Sequence, residues 1–166
     1  MNTPSPFDDP PSDGDLWPIS LHEAGHLVVA DALDLPIAGV LLHPVPGPDG
    51  LRGRLLFSEP VASPLHLQSQ NYDPRAVERH KRVVLMALGG GAAAQEWFGA
   101  DSGAFTGLDE EMATRHVGRP LREGLERAAQ FFADSAAARR AVERAATELA
   151  KKKKLSYADF TRIAHG

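Results

Sequence analysis

The sequence predicts a mainly α-helical domain with a small β-hairpin, an α+β fold. Three observations predict it. Apolar residues recur at helical spacing in segments opening near Ser20, Asp73, Arg119 and Asp134. A short apolar run at 37–43 is followed, after a Pro/Gly turn at 44–50, by a second run at 54–58. The chain has 166 residues, 43% hydrophobic and 24% charged, which suits a single domain with a buried core.

In chain order, residues 1–16 combine Pro4, Pro6, Pro10 and Pro11 with Asp8, Asp9, Asp13 and Asp15 and have no core pattern, so they are expected to form a solvated tail. The domain proper then spans 17–166. Trp17 and Ile19 are expected to pin the tail before the first helix. That helix should start at Ser20, where Ser20 and Glu23 have the spacing of a capping box, and should end near Leu35, before Pro36. Leu27, Val28, Ala30, Ala32 and Leu33 would form its inner side. The two apolar runs pair as a hairpin, and 59–72 is a loop. Asp73-Pro74 has the form of an N-cap and first-turn proline, opening a helix to about Phe98. Gly89-Gly90-Gly91 lies inside it. Glycine costs about 1 kcal/mol relative to alanine in a helix, so this triplet implies either a break or another backbone packed very close. A glycine-rich loop at 99–107 precedes a short helix at 108–117. Further helices follow at about 119–133 and 134–153, the latter with Val142, Ala145, Ala146 and Leu149 inward. Ser156-x-x-Asp159 caps a last short helix.

The totals exclude several function classes. A net charge of −4 argues against a nucleic-acid binder, and Lys151–Lys154 is read as a solvated helix end whose cations suit the helix dipole. There are no cysteines, so metal chemistry would fall to His and carboxylate ligands. No run reaches the roughly 18 apolar residues of a membrane span, and the acidic, proline-rich start is unlike a secretory signal. The expectation is a cytoplasmic protein without membrane insertion.

The chemistry concentrates in His22-Glu23-Ala24-Gly25-His26. On a helix His22 and His26 stand one turn apart, within reach of one zinc ion, while Glu23 lies beside the metal without ligating it. The Ala-Gly spacer is small enough to admit another element. A catalytic zinc site needs a third protein ligand and an open position. Spacing leaves His43, His66, His80, Glu96, Asp101, Asp109 and Glu110 as candidates for that ligand. Asp109 has one local point in its favour: it opens a helix after a Gly-rich loop, where a carboxylate can face inward on a rigid turn.

Four ordered blocks carry a resemblance. His22-Glu23-Ala24-Gly25-His26-Leu27-Val28-Val29-Ala30 resembles the zinc helix of the FtsH-type metallopeptidases, the peptidase parts of membrane AAA proteases. Pro36-Ile37-Ala38-Gly39-Val40-Leu41-Leu42-His43-Pro44 resembles that family's first strand. Leu88-Gly89-Gly90-Gly91-Ala92-Ala93-Ala94-Gln95-Glu96-Trp97-Phe98-Gly99 resembles its Gly-Gly-Arg-Ala-Ala-Glu-Glu helix. Leu108-Asp109-Glu110-Glu111-Met112-Ala113-Thr114-Arg115 resembles the segment that supplies its third zinc ligand. The resemblance covers about residues 17–164. It implies a zincin-like FtsH-type peptidase fold and one zinc ion per chain on His22, His26 and Asp109. Glu23 would be the catalytic general base, and Asp101 and Glu96 are candidates to support the imidazoles. Three positions depart from the pattern: Gly91, Ala94 and Gln95.

The sequence has no Walker phosphate loop. The expected function is therefore ATP-independent zinc endopeptidase activity on exposed or unfolded polypeptide, held by edge addition to the 54–58 strand, in a monomer or small homo-oligomer. The alternative from another class is a non-catalytic metal-binding interaction module related to such peptidases, which the three departures motivate. A third possibility is a different zincin with Glu96 as third ligand.

Overall fold

The computed structural model describes residues 13–44, 51–58, 89–90, 92–93 and 122–166. These residues are mainly helical with a three-stranded antiparallel sheet. In chain order they form α1 (Asp13–Ala32), β1 (Ile37–Pro44), β2 (Leu51–Phe57), α2 (Arg122–Asp134), α3 (Ala136–Lys152), β3 (Lys154–Ser156) and α4 (Tyr157–His165). Residues 89–90 and 92–93 are also helical. The expected loops and helices at 59–88 and 94–121, with Asp109, lie outside the described residues.

Helix α1 is the centre of the fold. Every residue from Ser20 to Ala30 is buried, as expected of a helix surrounded by other elements. It packs against α3, whose Val142, Ala145, Ala146 and Leu149 face inward as the sequence suggests, and also against β1 and β2. The helix begins at Asp13, well before Ser20. Residues 13–16 therefore belong to the helix and not to the tail, and Leu16 is 1% exposed. The expected capping box does not form. Ser20 lies inside the helix, fully buried, and its hydroxyl has no partner among the described residues. Pro18, the sixth residue of α1, loses a backbone bond and crowds the carbonyl one turn earlier, a cost that burial of Leu16 with packing of Trp17 and Ile19 offsets.

The C-terminal end is set by a turn and not by Pro36 alone. Asp34 adopts a left-handed conformation, φ 53°. Leu35 N–H donates to Ala30 carbonyl and Asp34 N–H to Asp31 carbonyl, both at 3.0 Å, the paired bonds of a Schellman end. The helix thus closes at Ala32, which is exposed and not on the inner side.

The sheet order is β2-β1-β3. The hairpin forms as expected, with β2 starting at Leu51 and so longer than the 54–58 run. Leu42 pairs with Gly53 and Leu41 with Arg54, and Ala38 is an extra residue in a bulge between Ile37 and Gly39. This register puts Val40, Leu42, Gly53, Leu55 and Leu155 on the inner face, and leaves Arg54, Leu56 and Lys154 outside. Strand β3 was not expected. Lys153 turns left-handed at the end of α3, φ 58°, and its carbonyl accepts from Leu42 N–H at 2.8 Å, which delivers Lys154–Ser156 to β1. Lys151 and Lys152 sit in the last turn of α3, within 3.7 Å and 2.9 Å of Glu148, so half of the lysine run is paired locally.

Ser135 and Ser156 cap α3 and α4, each accepting from a backbone N–H three residues on, at 3.1 Å. Helix α4 is tied to the end of α1. Tyr157 hydroxyl donates to Asp31 at 2.6 Å, and His165 Nε2 lies 3.0 Å from the other Asp31 oxygen. The Asp31 bond, with desolvation, pushes the Tyr157 pKa from 10.0 up to about 12. The folded state favours the neutral phenol. The stabilisation is therefore present in full below pH 10 and is lost as pH rises through 10 to about 12. Roughly 1–2 kcal/mol of stability is expected to go in that window. Urea midpoints taken across it should fall less steeply in Tyr157→Phe than in the parent chain.

Candidate metal centre

The site is built on α1, and three chain segments position it. His22, Glu23 and His26 are 8%, 7% and 5% exposed, the only charged or imidazole side chains among the buried described residues. Helical spacing stacks the two imidazoles one turn apart on one face. Their Nε2 atoms are 3.0 Å apart, and the rings stand nearly perpendicular, at 84°. With Glu23 they form a group whose potential ligand atoms all lie within 4.8 Å of one another.

The second segment is the glycine stretch. Its backbone crosses α1 at Gly25, whose lack of a side chain makes the crossing possible. A Cβ at Gly25 would lie 2.5 Å from Ala93 Cβ and 2.6 Å from Gly89 carbonyl oxygen. Of the two outcomes open to the triplet, close packing is the one seen at 89 and 90, which stay helical. Gly90 N–H donates to His26 Nδ1 at 3.3 Å. A donor at Nδ1 places the proton of a neutral His26 on Nε2, between the two rings.

The third segment is β2. Gly53 lies so close to Glu23 that a Cβ there would overlap Glu23 Cγ, Cδ and Oε1. The carboxylate therefore stands against strand backbone. Among the described residues β2 is an edge strand, paired with β1 alone.

These residues fit a zinc ion. Two ligand nitrogens about 2.0–2.1 Å from a tetrahedral zinc are separated by roughly 3.3 Å, a few tenths of an ångström from the distance seen here. Ligation through Nε2 would require the other tautomer of His26, with its proton on Nδ1, so the Gly90 N–H contact at Nδ1 would have to open on binding.

Of the residues expected at the site, His22, Glu23 and His26 come together. Asp109, Glu96, Asp101 and Glu110, with Gly91, Ala94 and Gln95, lie outside the described residues, as do His66, His80 and His116. His43 is on β1, half-buried, with its Nδ1 lacking a partner among the described residues. His165 is on α4, on Asp31. The sequence reading missed Gly53 and the contact of Gly90 with the imidazoles. A glycine inside a strand pattern was the available signal for the first, since it marks close backbone approach. No protein-family model matches this chain, and no curated protein matches it.

Proposed function

We propose that the chain is a zinc-dependent endopeptidase of FtsH type, acting on extended or unfolded polypeptide. The observation that carries this is the buried pair of imidazole nitrogens 3.0 Å apart on α1, with Glu23 beside them and an edge strand against Glu23. Among the described residues the outer edge of β2, beside Glu23, has no strand partner, which favours a peptide-binding role for this face.

In this reading His22, His26 and Asp109 hold the ion. Bound zinc supplies Lewis acidity, polarising the scissile carbonyl and acidifying water to a pKa of about 7. Glu23 takes the proton of the attacking water and passes it to the leaving amine. Its position against Gly53 keeps that carboxylate between the imidazoles and β2. A substrate added as a further antiparallel strand to the edge of β2 that is unpaired among the described residues would run past Glu23, with main-chain bonds giving affinity independent of side chains.

The test is cleavage of unfolded casein by the purified chain. Activity should vanish on chelation with phenanthroline and return with about one equivalent of zinc per chain. Cleavage indifferent to chelation, or absent from zinc-loaded protein, contradicts the proposal.

A further inference from the structure

Two glycines from different segments face the two halves of the site, and the atoms nearest to each belong to one half. A Cβ on Gly90 would lie 2.6 Å from His26 Nε2, 2.8 Å from His22 Nε2 and 2.8 Å from His22 carbonyl oxygen. Real Cβ atoms do not approach polar atoms so closely, so something would have to shift. An ion on both nitrogens sits about 2.0–2.1 Å from each. A methyl group that near to both either takes the ion's space or drives the imidazoles apart. The Cβ at Gly53 meets nothing of the imidazoles among its nearest atoms and falls on the Glu23 carboxylate instead.

We infer that Gly90 and Gly53 are separate positioning residues: the bare backbone at 90 keeps open the room for the metal on His22 and His26, and the bare backbone at 53 seats Glu23 for proton transfer. This rests on the zinc-peptidase reading, and it divides that reading into parts that fail independently. Alanine at 90 removes metal binding. Alanine at 53 leaves the metal in place and displaces the base.

The closing experiment titrates zinc alone into the metal-free full chain, by competition with a fluorescent chelator, and measures casein cleavage in parallel. Gly90→Ala is expected to weaken zinc binding by about 100-fold or more. Gly53→Ala should hold zinc within about threefold of the parent and lose about 10²–10⁴ in cleavage rate, the contribution of a general base. Gly89→Ala is the packing control. Its Cβ would press on Val29 Cγ2 at 2.7 Å and Gly25 carbonyl oxygen at 2.9 Å, away from the imidazoles. It should lower the melting temperature and keep zinc affinity within about tenfold.

Parent-like zinc affinity in Gly90→Ala overturns the inference, as does equal loss in Gly89→Ala and Gly90→Ala. Loss of zinc in Gly53→Ala, or unchanged cleavage there, overturns the second half. A parent chain that takes up no zinc fails earlier and brings down the peptidase reading with it. If Gly90→Ala does not fold, the same substitution is made with His22→Ala and His26→Ala. Recovery of a cooperative melt in that background supports a clash with the imidazoles, and continued failure to fold assigns Gly90 to packing alone.

Discussion

Glu23→Gln is expected to keep zinc bound at about one ion per chain and to lose about 10²–10⁴ in peptide cleavage, the contribution of a general base. The change is close to isosteric, so the crowded position against Gly53 is preserved. The amide does not accept a proton from water at neutral pH. The imidazoles, one on each side of this position in the sequence, are untouched, so the affinity for metal should change little. The two readouts separate a chemical role from a structural one. If Glu23 only filled core space, the glutamine chain would cleave as well as the parent. If Glu23 were a ligand, zinc would be lost together with activity.

Removing an imidazole is expected to have the larger effect on binding. His22→Ala and His26→Ala should each bring zinc from about one ion per chain to near none under conditions where the parent is saturated, because two protein ligands do not hold zinc against a competing chelator. A stability consequence follows by linkage. Zinc that binds only the folded chain stabilises it by about 4 kcal/mol when present at a thousand times its dissociation constant. The parent should therefore melt at higher temperature with added zinc, and neither alanine variant should respond. Without metal both variants should also melt below the parent, since each leaves a cavity and strands a hydrogen-bond partner of the lost ring. Asp109→Ala belongs to the same series. Loss of zinc there supports the ligand that the resemblance implies, whereas full stoichiometry moves the third position to another residue such as Glu96.

The parts of the fold legible in the sequence are those fixed by local rules. The turn-spaced histidines of α1, the hairpin, and the serine cap of α4 depend on residues within a few positions of one another, and all are present. The start of α1 was misplaced because Ser20-x-x-Glu23 imitates an N-terminus. The signal was overridden by burial of Leu16 against residues far away in sequence. Strand β3 was illegible for a related reason. Three residues between two helices have no periodicity of their own, and Lys154–Ser156 are a strand only because β1 supplies partners. At the site, the triplet at 89–91 announced a close approach but not its target. Gly53 reaches Glu23 only through the Leu42–Gly53 register and the packing of the sheet on α1, neither of which is written in the neighbouring residues.

In the proposed function His22 and His26 hold a catalytic zinc. An anomalous-scattering map from crystals of the zinc-loaded chain, recorded on both sides of the zinc absorption edge, tests it most directly. The expected result is one peak per chain about 2.0–2.1 Å from both Nε2 atoms, with an Asp109 oxygen as third protein ligand and a fourth position open beside Glu23. No peak between the two imidazoles, or a peak enclosed by four protein ligands, would contradict it.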